Sequence, residues 1–304
     1  MNTYHIPALA ADTIKGLNIQ GDGIYVDVTF GGGGHSKEIL KNLGTGKLYA
    51  FDQDEDAAQN VPNDSKICFI QHNFRYIQNF LRYYGVEQVD GILADLGVSS
   101  HHFDIAERGF SFRYQGNLDM RMNRNATKTA ADIVNEYNEE NLIRIFKEYG
   151  EVENAGRLAR VIIKARTEKP ITTTDRLMEI AGGMAPAKNE KKYMAKVYQS
   201  LRIEINDEMG ALRDLLEQGM DLLKPGGRFV IITYHSLEDR MVKNFFRSGN
   251  IEGKVEKDFY GRIHSGINVI NRKVIVPTDE EIEKNPRVRS AKLRIAEKSI
   301  YGTN

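Results

Sequence analysis

Four consecutive glycines at residues 31–34 mark the segment of this chain best suited to bind a small charged ligand. Before them, the β-branched alternation of residues 24–29 predicts a strand that contains Asp27. After them, His35 and Ser36 lead into apolar residues, as at the start of a helix. Glycines let the backbone approach a ligand closely, and a helix N-terminus offers N–H groups to an anion. Strand, glycine loop and helix therefore predict a nucleotide-type α/β site, and the alternative is a plain tight turn.

The spacing of these glycines excludes two common phosphate motifs. The dinucleotide pattern G-x-G-x-x-G requires a third glycine where Ser36 stands. The phosphate loop requires Ser or Thr after Gly-Lys, but Leu48 and Val255 follow the two Gly-Lys pairs. A second predicted strand, residues 47–51, is followed by Asp52, whose carboxylate can bind ribose hydroxyls or simply be solvated. This arrangement resembles the Rossmann-like S-adenosylmethionine-dependent methyltransferases.

Before residue 112 and after residue 200, predicted strands and helices alternate, which predicts an α/β fold with a parallel sheet. Further strands are predicted at residues 66–70, 89–93 and 228–233, with late candidates at residues 273–276 and 292–296. Three side chains follow such strands, namely Phe74, Asp95 and His235. Open α/β sheets bind ligands outside the carboxyl ends of their strands, so these residues are candidates for the site.

Residues 112–200 interrupt this alternation with four helix-like stretches and no strand pattern. They are predicted to form an inserted all-helical domain that contributes to substrate recognition. The surrounding residues 1–111 and 201–304 are predicted to form one discontinuous domain. Helices in the insertion have capping residues, such as Asn138, and apolar faces of their own.

Composition limits the function classes without selecting one. Lys plus Arg equals Asp plus Glu, at 42 each, so any basic surface for nucleic acid must be local. The single Cys68 fits a reducing compartment, and its place in a strand-like run favours a core role over a nucleophile. Seven histidines and one cysteine show no zinc spacing, so no metal is expected. The sequence shows no secretory signal and no membrane-length apolar run, and a cytoplasmic location is expected.

Longer motifs make the resemblance specific, because they occur in one order over nearly the whole chain. The chain resembles the ribosomal RNA small-subunit methyltransferase H family in HIPAL at 5, YVDVTFGGGGHS at 25, DGILADLGVSS at 90, RGFSF at 108, LDMRM at 118, SLRIEIN at 200, YHSLEDRMVK at 234 and NPRVRSAKLR at 285. The resemblance implies a Rossmann-like class I methyltransferase sheet that carries the inserted helices. It also implies methyl transfer from S-adenosylmethionine to the exocyclic N4 of a cytidine in the decoding region of 16S rRNA.

The resemblance also implies a set of cofactor-binding residues. These are Gly33, Gly34, His35, Asp52, Phe74, Asp95 and His102. His102 is a departure, because the family usually has Gln there, and an imidazole replaces one amide hydrogen bond but not both. Phe74 could instead be an ordinary core residue.

The chemistry of the target amine points to catalytic candidates. Its lone pair is delocalised into the ring, so the amine must rehybridise, lose a proton and lie in line with the methyl carbon. A carboxylate or carbonyl that accepts hydrogen bonds from the amine suits this task, and Asp95 is the best-placed candidate. His235 is the second, and its alternative is a structural cap on the helix that follows.

Local basic clusters could hold RNA phosphates. Four cations lie between residues 286 and 294 with no acid among them, and further arginines border the insertion. These cations could instead pair with acids of the same protein. Phe110 and Phe112 could stack on an RNA base, but we favour a packing role for both.

The expected partners are 16S rRNA and the small ribosomal subunit. The oligomeric state stays open, with a homodimer among the options. Two other functions stay open: a non-catalytic RNA-binding or ribosome-assembly module, and a methyltransferase for a small molecule or protein.

Overall fold

The computed structural model describes residues 7–186, 188–255 and 265–300, with only the backbone described at residues 100 and 101. The chain divides into two compact units, Met1–Gly97 with Gly210–Asn304, and Val98–Met209. We call them the sheet unit and the helical unit. The helical unit contains the whole of the insertion predicted at residues 112–200, and its limits lie outside that range at both ends. The motif at residues 5–9 begins outside the described residues.

Within the described residues, the sheet unit contains one seven-stranded sheet. Its strands are β1 (Ile24–Asp27), β2 (Lys47–Asp52), β3 (Ile67–Gln71), β4 (Val89–Asp95), β5 (Leu223–Thr233), β6 (Ile267–Val269) and β7 (Lys292–Lys298). Their order is β3-β2-β1-β4-β5-β7-β6. The first five strands in this order pair in parallel, whereas β7 pairs antiparallel with both β5 and β6. The order reverses beside β1 and β4, which is the place where Rossmann-like sheets bind ligands. The predicted α/β fold class is confirmed.

Twelve α-helices lie in the described residues. They are α1 (Ala10–Leu17), α2 (Gly34–Asn42), α3 (Ile77–Tyr83), α4 (Ser100–Asp104), α5 (Ala130–Glu136), α6 (Glu139–Glu148), α7 (Ala155–Glu168), α8 (Thr174–Gly182), α9 (Glu190–Asn206), α10 (Glu208–Leu222), α11 (Ser236–Ser248) and α12 (Asp279–Lys284). None of them is both long and apolar enough to cross a membrane.

The core of the sheet unit fixes the carboxyl ends of its central strands. Val230 and Ile232 of β5, Leu93 of β4 and Ile295 of β7 are buried in one cluster that also contains Leu17 of α1. Near-continuous apolar runs of this kind are expected in strands that are covered on both faces. The strands that end in Asp27 and Asp95 thus adjoin a buried apolar core.

The last strands were predicted only in part. Residues 273–276 do not form a strand, because only Ile275 makes a bridge, to Leu293. The edge strand is β6 instead, and it was missed because three residues, Ile267–Val269, are too few for an alternating pattern. The other late candidate, residues 292–296, is confirmed as β7.

The helical unit has its own apolar core, which includes Leu142, Phe146, Leu158 and Val197. The predicted cap at Asn138 is confirmed, since its side chain accepts a backbone N–H group of α6, and Thr173 caps α8 in the same way. Two helices of this unit, α4 and α5, were not predicted. The signal for α5 was a capping box, in which Thr129 and Asp132 each accept a hydrogen bond from the other's backbone N–H.

Candidate functional site

The glycine loop joins β1 to α2 and turns through backbone conformations that suit glycine. Gly31 and Gly33 have φ values of 50° and 72°. A methyl group on Gly33 would lie 2.8 Å from Cζ of Phe30, whereas one on Gly32 would meet nothing within 4 Å. The N–H of Gly33 donates to the carbonyl oxygen of Phe30 at 2.7 Å, which closes the turn. The backbone N–H groups of Gly34 and His35, in the first turn of α2, have no acceptor within the helix.

Asp27 holds this loop to the end of β1. Its carboxylate accepts the hydroxyl of Ser36 at 2.6 Å and the N–H of Thr29 at 3.1 Å. The side chain is only 1% exposed, and burial raises the pKa of its carboxyl group above the ordinary value, although Ser36 and His35 oppose that rise. Asp27 therefore stabilises the loop and is itself buried, whereas the Asp95 carboxylate reaches solvent.

Asp52 binds the same loop from the neighbouring strand. One carboxylate oxygen accepts the N–H of Gly31 at 2.7 Å, and the other accepts the N–H of Asp54 at 2.9 Å. Both donors are backbone groups, so the carboxylate at the end of β2 has a fixed orientation. Phe74 lies in a single 3₁₀ turn after β3 and is half-buried.

Asp95, at the end of β4, lies within a network that also contains His35. The Asp95 N–H donates to the hydroxyl oxygen of Thr29 at 2.7 Å, and the Tyr234 hydroxyl donates to Asp95 Oδ1 at 2.8 Å. His35 Nε2 lies 3.5 Å from Asp95 Oδ2, a separation typical of an electrostatic contact rather than a short hydrogen bond. The Asp95 side chain is 23% exposed, so this carboxylate is both oriented and accessible.

Charge around Asp95 changes the proton affinity of its two neighbours. Burial alone would lower the pKa of His35, but Asp95, with the charges of Asp27 and Glu38, raises that pKa above its ordinary value. Burial, and then the negative charge of Asp95, raise the pKa of Tyr234 well above 10. The tyrosine is therefore a neutral hydrogen-bond donor over the whole physiological pH range, whereas the histidine is stabilised as a cation.

His235 is the N-cap of α11. Its ring accepts the N–H of Glu238 in a long contact of 3.5 Å, while a Glu238 oxygen accepts the N–H of His235 at 3.3 Å. His235 Nε2 also lies 3.0 Å from the second Glu238 oxygen. These contacts support the capping interpretation, and a catalytic role for His235 stays a prediction.

His102 belongs to the helical unit, where it lies in α4. Its side chain is buried, its Nδ1 lies 3.0 Å from the Ser99 hydroxyl oxygen, and its ring is 4.8 Å from that of Phe110. Phe110 is itself buried, and Phe112 packs on Tyr198, so the packing interpretation of both phenylalanines is confirmed. A contact of His102 with the cofactor stays a prediction.

The basic residues beside the insertion and between residues 286 and 294 differ in burial and in the contacts that they make. Arg108 is buried and donates to the carbonyl oxygens of residues 121 and 122, while Arg121 pairs with Asp119 at 2.7 Å. Arg294 and Lys292 pair with Asp239 of α11, at 2.7 Å and 3.2 Å. Arg287 and Arg289 are exposed on the 3₁₀ turn Pro286–Ser290.

The sheet unit thus brings Gly33, Gly34, His35, Asp52 and Asp95 to one edge of the sheet, around the glycine loop. Sequence reasoning missed three supporting side chains, Thr29, Ser36 and Tyr234. The available signal for Tyr234 was its place directly after β5, beside the strand that ends in Asp95.

Sequence comparisons with known proteins match almost the whole length of the chain. The MraW methylase family model matches residues 2–299. The chain is 59% identical over 297 residues to "Ribosomal RNA small subunit methyltransferase H" of Parabacteroides distasonis, covering 97% of each chain. It is 60% identical over 296 residues to the protein of the same name from Phocaeicola vulgatus, again covering 97% of each. Among solved structures, TrmN from Thermus thermophilus is similar with a TM-score of 0.43 and 14% identity, over 95% of this chain and 48% of that one.

Proposed function

Because the chain belongs to the MraW methylase family, we propose that it is an S-adenosylmethionine-dependent methyltransferase acting on a cytidine of 16S rRNA. The position methylated is the exocyclic N4, and the cytidine lies in the decoding region. The observation that carries this proposal is the glycine loop bounded by two oriented carboxylates, Asp52 and Asp95, in a chain nearly 60% identical to proteins named for rRNA methylation.

The donors and acceptors at the loop fit S-adenosylmethionine. The N–H groups of Gly34 and His35 suit the methionine carboxylate, because they lie in the first turn of α2. Asp52 suits the ribose hydroxyls as a charged acceptor, and Phe74 offers a ring face to the adenine. The open space above Gly32 permits a ligand to approach the backbone. When bound, S-adenosylmethionine supplies an electrophilic methyl group on a sulfonium.

Asp95 meets the needs of the target amine. The carboxylate accepts hydrogen bonds from the N4 amine, which favours rehybridisation of the nitrogen, and it takes up the proton that the amine loses. The Tyr234 hydroxyl orients the carboxylate and Thr29 holds the backbone N–H of Asp95, so little reorganisation accompanies the reaction. Placement of the amine by this residue and by the backbone that follows it is the larger contribution of the protein to rate.

RNA is held by exposed cations rather than by the buried ones. Arg289 is exposed and lies on a short turn fixed by the buried Val288, which suits contact with a phosphate. The helical unit, with its independent core, provides the second surface for rRNA. The reaction takes place in the cytoplasm on 16S rRNA or the small ribosomal subunit, and a homodimer stays a prediction.

Nucleoside analysis tests this function directly. Small subunits and free 16S rRNA from cells that lack the corresponding modification are incubated with the protein and methyl-labelled S-adenosylmethionine. The expected product is one labelled N4-methylcytidine per 16S rRNA. Label in 5-methylcytidine, in protein or in a small molecule would contradict the proposal. Cofactor binding without any transfer would instead favour the non-catalytic RNA-binding module.

A further inference from the structure

The Asp95 carboxylate has a partner on each oxygen within the sheet unit. The Tyr234 hydroxyl donates to Oδ1 at 2.8 Å, and His35 Nε2 lies 3.5 Å from Oδ2. The two contacts reach the carboxylate from different elements, because Tyr234 follows β5 and His35 lies in the first turn of α2. Rotation of the Asp95 side chain would break one contact or the other. The carboxylate plane is therefore set by neighbours on both sides.

Tyr234 is itself held firmly at the end of β5. Its N–H donates to Glu238 Oε2 at 2.8 Å, which links it to the first turn of α11. The N–H of Leu96 donates to the Ile232 carbonyl oxygen at 2.9 Å, so β4 and β5 stay paired up to this point. A methyl group on Gly97 would lie 3.6 Å from the Tyr234 ring, which shows that the ring lies against the turn after Asp95. The ring thus contacts the same segment that its hydroxyl orients.

The hydroxyl of Tyr234 is a donor and not an anion. Burial and the adjacent Asp95 charge keep the pKa of Tyr234 well above 10, so the proton stays on the phenol oxygen at neutral pH. A neutral phenol cannot remove a proton from an amine at this pH, and its proton points toward Oδ1 of Asp95. Its role is therefore directed at Asp95 rather than at the substrate.

We propose that Tyr234 is a positioning residue for methyl transfer, which acts by holding the Asp95 carboxylate in the orientation that receives the target amine. This inference rests on the proposed function, because it assumes that Asp95 meets the amine. The proposal adds a residue that affects the chemical step through Asp95 rather than through the cofactor or the cytosine ring. Hydrogen bonds to charged groups and exact placement of reacting groups both have large effects on rate, so loss of the hydroxyl should slow the chemical step.

The test compares two tyrosine-to-phenylalanine variants. Tyr234→Phe removes only the hydroxyl that reaches Asp95. The matched control is Tyr25→Phe, which removes a buried hydroxyl of the same unit that accepts the Gln20 N–H at 2.7 Å, away from the loop. For each variant we measure kcat on 16S rRNA, the S-adenosylmethionine Kd by calorimetry, and Tm. Kinetics are run at a temperature where every variant is folded.

We expect the loss of the Tyr234 hydroxyl to lower kcat while leaving S-adenosylmethionine binding nearly unchanged. Tyr234→Phe should lower kcat by about 10- to 100-fold, while its cofactor Kd changes by less than about threefold. Tyr25→Phe should leave kcat unchanged, whatever it does to Tm. A kcat for Tyr234→Phe equal to that of the control would overturn the inference, as would a loss of rate fully matched by weaker cofactor binding. If the wild-type protein methylates no rRNA, the proposed function has failed rather than the role of Tyr234.

Discussion

Replacing single glycines of the loop by alanine distinguishes a glycine that the backbone conformation and packing require from one that they do not. Gly33→Ala places a side chain on a residue with a φ of 72°, in a region that costs an L-residue about 1–2 kcal/mol. The new methyl would also lie 2.8 Å from the ring of Phe30. That ring is 3% exposed and packs edge-on against Phe69 at 5.3 Å, so it yields little, and such overpacking costs about 1–3 kcal/mol.

The two terms together predict that Gly33→Ala lowers the free energy of unfolding by about 2–5 kcal/mol. For a unit of this size, each kcal/mol lowers Tm by about 2–4 °C. Gly32→Ala is the control, because its methyl meets nothing within 4 Å, and its predicted change is below about 0.5 kcal/mol. Urea unfolding and calorimetric melting without cofactor measure both variants. Equal stabilities of the two variants would refute the account of the loop.

Three further predictions concern single charged groups. Asp52→Ala should weaken S-adenosylmethionine binding by about 1–3 kcal/mol, because the ribose loses a charged acceptor, and an unchanged Kd by calorimetry would remove Asp52 from the site. Burial opposes ionisation of Asp239, but Arg294 and Lys292 hold the pKa of its carboxyl group below the ordinary 3.8. The stability that this carboxylate contributes is therefore present above pH 3.8, and it is lost as the pH falls through the pKa of Asp239 in the folded protein. Urea unfolding should therefore show Asp239→Asn less stable than wild type at pH 7, with the difference shrinking toward pH 3; a constant difference would contradict the pairing. Arg289→Ala should weaken RNA binding and lower its salt dependence by about one ion without changing Tm, whereas Arg294→Ala should lower Tm.

The local signals of the site were readable from sequence because each depends on neighbouring residues. The strand pattern of β1, the four glycines and the start of α2 lie within one short segment, and Asp52 and Asp95 each end a strand. Parallel pairing of β2, β1 and β4 then places these ends at one edge of the sheet. The fold class and the position of the loop follow from those local patterns.

Contacts between residues that are distant in the sequence could not be predicted in this way. The hydroxyl of Tyr234 reaches Asp95 across 139 residues, and no periodicity encodes such a contact. Basic residues near the chain end look alike in sequence, yet Arg294 pairs with Asp239 while Arg289 stays exposed. Pairing with an acid of the same protein was the alternative to RNA binding, and the structure places that acid, Asp239, on α11.

The central claim is that the Asp95 carboxylate acts on the cytidine amine, and single-turnover methyl transfer by Asp95→Asn tests it most directly. The variant keeps the shape of the side chain but cannot take up a proton. With S-adenosylmethionine and 16S rRNA at saturating concentrations, the appearance of N4-methylcytidine is followed by nucleoside mass spectrometry. The account predicts a rate at least about 100-fold below that of the wild type, with cofactor still bound. A rate close to that of the wild type under these conditions would contradict it.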